Sequence, residues 1–208
     1  MLLKRLDLQN CGLLDIPVNA LRPLTQLQSL QLGQNEIWRL DGKSFQRLHE
    51  LRYLRLDGNR LRSVPTEALE TLRSLEVLNL GNNLITDIPR DAFPQMDNLT
   101  VLLLKRNQIW QIHEDAFSNL TSLQNLELDD NALTEIPVAL TKLPSLQKLS
   151  ISGNRIKFIP CGLLQRTPAL VLLELKGNPL AAVDAHAFSY LPRLRNLQVL
   201  CSLKYDPY

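Results

Sequence analysis

The chain has 208 residues, of which 45% are hydrophobic but only 5% aromatic, and its 23 basic and 21 acidic side chains leave a net charge of +2. That balance excludes the one-sided basic footprint of a nucleic-acid-binding domain. The longest apolar runs, such as 101–104 and 169–173, fall far short of the ~18 residues that a membrane-spanning helix needs.

From the start of the chain one unit recurs, Leu-x-x-Leu-x-Leu-x-x-Asn-x-Leu. It opens at Leu3, Leu27, Leu51, Leu75, Leu99, Leu123, Leu146, Leu170 and Leu194. The step is 24 residues throughout, except that Leu123 to Leu146 is one residue short. A period of this length predicts a single elongated domain, with each copy adding one short strand to a solenoid. The nine copies run 1–26, 27–50, 51–74, 75–98, 99–122, 123–145, 146–169, 170–193 and, degenerate, 194–208. Leu3 already opens a copy, which leaves no room ahead for a signal peptide's apolar region. Neither end carries a polar cap over the core. Both features point to a piece of a longer protein.

Within each copy Leu-x-Leu alternates as a half-buried strand does, with leucines inward and the x residues outward. One polar residue keeps an interior place: Asn35, Asn59, Asn83, Asn107, Asn131, Asn154 and Asn178. The chain turns there and leaves backbone groups unpaired inside the protein. A short amide carries both donors and acceptors, so a ladder of seven asparagines is expected to satisfy groups in its own turn and the next. Cys11 and Ser202 take the slot in the first and ninth copies.

The second half of the unit reads Ile-Pro-x-x-Ala-Phe-x-x-Leu, as in Ile88-Pro89-Arg90-Asp91-Ala92-Phe93. Proline fixes the backbone and removes a donor that the convex side could not pair. Phe45, Phe93, Phe117 and Phe188 share one position, replaced by Leu21, Leu69, Leu140 and Leu164, and this column is expected to be a core spine. Trp38 and Trp110 both stand three residues after a ladder asparagine. Each ring is expected to cover its neighbouring rung, because tryptophan rarely stands free in solvent. The alternative is an exposed binding anchor.

The combined unit resembles the "typical" class of leucine-rich repeats, found mostly in receptors, adhesion proteins and small matrix proteoglycans outside cells. Three segments are similar to the ectodomains of leucine-rich-repeat G-protein-coupled receptors: 64–69 (Val-Pro-Thr-Glu-Ala-Leu), 128–137 (Leu-Asp-Asp-Asn-Ala-Leu-Thr-Glu-Ile-Pro) and 187–192 (Ala-Phe-Ser-Tyr-Leu-Pro). The resemblance implies an α/β fold, a curved right-handed leucine-rich-repeat solenoid. A parallel sheet lines its concave face, with loops and short helical turns on the convex one. The cysteine-rich end caps usual in secreted members are missing from this sequence.

If the strands line the concave face, three outward columns follow from spacing. The first runs Arg5, Ser29, Tyr53, Val77, Val101, Asn125, Lys148, Leu172, Asn196. The central one runs Asp7, Gln31, Arg55, Asn79, Leu103, Glu127, Ser150, Glu174, Gln198. The third runs Gln9, Gly33, Asp57, Gly81, Lys105, Asp129, Ser152, Lys176, Leu200. An apolar strip of Tyr53, Val77, Val101 and Leu103, rimmed by charges that include Arg106 and Asp130, has the anatomy of a protein-binding surface. The expected contact residues are Tyr53, Arg55, Asp57, Asn79, Val101, Leu103, Lys105, Glu127 and Asp129.

Asn98-Leu99-Thr100 and Asn119-Leu120-Thr121 fit the glycosylation acceptor pattern, making Asn98 and Asn119 candidate glycan sites. Cys11 and Cys201 lie at opposite ends and Cys161 on the convex side, so no internal disulfide is expected. His49, His113 and His186 fall in different copies without metal-ligand spacing. No nucleophile–base pair or phosphate-cradling loop emerges, so neither catalysis nor a metal or cofactor is expected.

The expected function is recognition of a protein or peptide on the concave face, by a receptor ectodomain or secreted protein at the cell surface or outside the cell. An intracellular scaffold or enzyme-regulating subunit in the cytoplasm would use the same surface. A self-associating matrix protein is the third reading.

Overall fold

A computed structural model describes residues 2–189 and 191–199. The readings that involve Tyr190, Leu200, Cys201 and Ser202 lie outside the described residues. Nine three-residue strands, from Arg5–Asp7 through Tyr53–Arg55 and Val101–Leu103 to Asn196–Gln198, form one parallel sheet in chain order. Every pair is in register, for example Tyr53 with Val77, Val77 with Val101 and Val101 with Asn125. Between strands the chain crosses the core and returns through the second half of the unit. That half forms short helices at Val18–Leu21 and Thr66–Leu69, and 3-10 turns at Val138–Lys142 and Leu164–Arg166. On that far side two more strand pairs form, Asp87–Ile88 with Gln111–Ile112 and Phe158–Ile159 with Ala182–Val183. The fold is the leucine-rich-repeat solenoid, strand-rich with few helices.

The missing residue of the sixth copy lies on the far side. Pro65 and Ala68 are three apart in the third copy, whereas Pro137 and Ala139 are two apart in the sixth. A 3-10 turn, with fewer residues per turn than an α-helix, absorbs the loss at Val138–Lys142. The strand after it stays in register, Asn125 opposite Lys148.

Leucines at the central strand positions, such as Leu30, Leu54, Leu78 and Leu102, are fully buried. Phe45, Phe93 and Phe117 are buried behind them, and the rings of Phe93 and Phe117 lie 6.0 Å apart. Phe188 is only half-buried. The two tryptophans depart from expectation: Trp38 is 56% and Trp110 59% exposed. Their position points away from the core because Ile37 and Ile109, one residue earlier, already fill the rung.

The ladder asparagines are all buried. Asn107 is representative: Nδ2 donates to Leu104 O and Leu80 O at 3.0 Å, and Oδ1 accepts the Ile85 N–H at 3.1 Å. Each amide therefore satisfies its own turn and the preceding copy, not the following one. The same arrangement recurs from Asn35 to Asn178. Immediately before each of these asparagines the backbone turns left-handed, at Gln34, Gly58, Asn82, Arg106, Asp130, Gly153 and Gly177. At Gly58 a side chain would also collide with the amide of Gln34, which lies across it from the previous copy.

On the far side Asp115 bridges three copies, 2.9 Å from Lys142 Nζ and 2.6 Å from Arg90 Nη2. Hydrogen bonds from Lys142 and Arg90 hold its carboxyl below the usual aspartate value.

Replacing Asn107 by alanine leaves the buried Ile85 N–H without an acceptor, while Leu80 O and Leu104 O keep the amides of Asn83 and Asn131. At roughly 1–3 kcal/mol for a buried group left unpaired, Asn107→Ala should lower stability by about 2 kcal/mol in urea denaturation. An unchanged midpoint would contradict the role given to the ladder.

Candidate functional site

The strand face presents the outward columns as the alternation requires. Tyr53 is 45% exposed, and Val77, Val101 and Leu103 are half-buried beside it. They are brought together because neighbouring strands stack without slippage, so Val77 and Val101 follow Tyr53 across the sheet. Asn125 continues the row, and its buried Oδ1 has no hydrogen-bond partner.

The charged rim is bonded to itself. Glu127 sits between Lys105 and Lys148, each with Nζ 3.5 Å away. Asp129 accepts from Ser150 Oγ and, at 2.8 Å, from Ser152 N. Arg106 Nε lies 3.4 Å from Asp130. These carboxylates are therefore engaged by cations and backbone donors of this chain. Among the described residues no group of three His, Cys, Asp or Glu side chains could hold a metal ion.

Two of the expected contact residues are not surface groups. Asp57 and Asn79 are buried at 6% and 9% exposure. Arg55 grips Asp57 through Nε at 3.0 Å and Nη2 at 3.1 Å, and Asn79 Nδ2 donates to the same carboxylate at 3.1 Å. Asn79 Oδ1 in turn accepts the Gly81 N–H at 3.0 Å. The hydrogen bond from Arg55 to Asp57 outweighs partial burial and raises the guanidinium pKa, keeping Arg55 charged. This inward-folded network was missed from sequence, although a signal existed. Glycines at 33 and 81 flank Asp57 in the third column, and a β-carbon at Gly33 would sit 3.1 Å from Asp57 Oδ1. Side-chain-free neighbours let the carboxylate lie flat on the sheet.

Elsewhere Asn98 and Asn119 are both exposed, with Nδ2 donating to Arg73 O at 2.9 Å and to Phe93 O at 3.0 Å. Cys11 and Cys161 are exposed, unpaired thiols. His113 Nδ1 accepts the Asp115 N–H at 3.1 Å and so braces a turn. No helix among the described residues is long and apolar enough to cross a membrane.

A strand-lined solenoid with an in-register asparagine ladder defines a repeat protein of the leucine-rich class. The leucine rich repeat family matches residues 2–61, 50–109, 97–156 and 144–199, and the chain belongs to that family. Leucine-rich repeat-containing G-protein coupled receptor 5 of Xenopus tropicalis is 40% identical over 65 residues, 31% of this chain and 7% of the receptor. Nephrocan of Mus musculus is 47% identical over 57 residues, 27% of this chain and 11% of that protein. The matched segments thus span a small part of these relatives' lengths. A solved leucine-rich-repeat protein of Leptospira interrogans superposes with a TM-score of 0.82 at 32% identity, covering 95% of this chain and 48% of that one. Leucine-rich repeats are in general protein-interaction modules.

Asp57→Ala should cost about 2 kcal/mol of stability, because the buried Asn79 amide loses its acceptor. Arg55→Ala should cost less, about 1 kcal/mol, because the half-exposed guanidinium lies between Asp57 and solvent and its removal lets water reach the carboxylate. Denaturant midpoints of the two variants check the order.

Proposed function

We propose that this chain is a recognition module that holds a protein or peptide ligand across its strand face, within the ectodomain of a cell-surface receptor or a secreted protein. The observation that carries the reading is the row Tyr53, Val77, Val101 and Asn125, with Leu103 beside it. It presents open apolar surface, while the charges around it are already paired. A desolvated apolar centre inside a polar rim is how protein interfaces are built. Tyr53, Arg55, Val101, Leu103, Lys105, Glu127 and Asp129 form the contact surface, with Asp57 and Asn79 beneath as its support.

Similarity to receptor and nephrocan segments supports the extracellular setting. So do two exposed acceptor asparagines. A second reading, an intracellular scaffold, is favoured by Cys11 and Cys161, exposed thiols that an oxidising compartment would tend to pair.

Leu103→Asp places a charge at the centre of the strip without touching a core rung. Screened against a panel of secreted proteins, the wild-type chain should capture a ligand that the variant binds at least tenfold more weakly, with an unchanged circular dichroism spectrum. Equal capture would move the ligand off the strand face. Glycopeptide mapping of the native protein should find sugar at Asn98 or Asn119; bare asparagines with reduced cysteines would favour the intracellular reading.

A further inference from the structure

The tryptophan column holds an internal comparison. In the second copy the guanidinium of Arg39 lies over the Trp38 ring, 4.8 Å from its centroid. In the fifth copy Trp110 occupies the same place, but the residue that follows it is Gln111, which has no charge to offer. Trp110 is 59% exposed and Trp38 56%, so the two rings differ in the cation that accompanies them and not in their access to solvent.

Beside Trp110 the surface forms a pocket of ≈ 170 Å³. Its apolar walls include Ile112, Leu133 and Val138, and two carboxylates, Glu114 and Glu135, line it with no basic side chain among the lining residues. Among the described residues neither carboxylate has a basic nitrogen within ion-pair distance, whereas the neighbouring Asp115 is held by Lys142 and Arg90. The pocket lies where the sixth copy is one residue short: Pro137 and Val138, at the start of the 3-10 turn, form part of its wall.

We propose that this pocket is a docking site for an arginine side chain of a partner protein, on a surface separate from the strand face. An indole face attracts a cation, and two unpaired carboxylates add charge complementarity. Apolar walls suit the methylene stem that carries the guanidinium. The volume is well below that of ordinary small-molecule pockets and matches one side chain rather than a cofactor. Arg39 on Trp38 shows the same contact made within the chain, and Trp110 offers it to another molecule.

The test follows the two indole N–H signals by NMR while N-acetyl-arginine methylamide, capped as an arginine is within a polypeptide, is titrated into the intact chain. The neutral isostere N-acetyl-citrulline methylamide is the control. The Trp110 signal should shift and saturate in the millimolar range, while Trp38, whose ring already carries the Arg39 cation, stays still. Citrulline should bind at least fivefold more weakly, and the double variant Glu114→Gln, Glu135→Gln about tenfold more weakly, equivalent to ~1.4 kcal/mol. Gln111→Arg should abolish binding by filling the site from within, without disturbing the core. Equal binding of citrulline, equal movement of Trp38, no movement of Trp110, or full binding by Gln111→Arg would each overturn the proposal.

Discussion

Everything in this molecule depends on an amide that reaches one copy back. Each turn after a strand brings backbone donors and acceptors into a dry interior, where leaving them unpaired is costly. The ladder asparagine answers two copies at once, as Asn83 does through Leu56 O, Leu80 O and the Leu61 N–H. The left-handed residue just before it aims the amide inward. With the turn fixed in every copy, leucines repeat at the same depth and the strands meet in register. The strand face is flat and continuous for that reason.

A second consequence is rigidity of that face. Its charged groups are bonded along and across strands, from Arg55–Asp57–Asn79 in the third and fourth copies to Lys105–Glu127–Lys148 in the fifth to seventh. Side chains ordered before binding lose less entropy when a partner arrives. The apolar strip between them is the part left without internal partners. Specificity on such a surface comes from shape and from the few groups still open, Tyr53 foremost.

The repeat made the fold legible in sequence because strand alternation, ladder and spine are each set by a fixed offset from one leucine. The outward columns were legible for the same reason. What spacing does not carry is the direction a polar side chain takes once it leaves the sheet. Asp57 reads as a rim charge, yet it folds inward because glycines leave space beside it and Arg55 and Asn79 meet it. Trp38 and Trp110 read as covers for neighbouring rungs, but Ile37 and Ile109 already fill those rungs. The Asp57 outcome depends on Asn79 and on glycines 22 to 24 residues away through space, whereas the tryptophan outcome is set by the isoleucine next to each ring.

Because every amide reaches backward, the ladder has a direction. Peeling a copy from the far end withdraws the asparagine that serves the copy before it, so the newly exposed end is left with unanswered buried groups. Peeling from the beginning removes a carbonyl and an N–H bonded to the next asparagine, as Leu80 O and the Ile85 N–H are to Asn107, but leaves it the carbonyl of its own turn. The later end therefore exposes an orphaned backbone N–H, and the earlier end an amide side chain that has lost its partners in the copy before. Under a pulling force or a processive protease, the two ends of this solenoid are not equivalent.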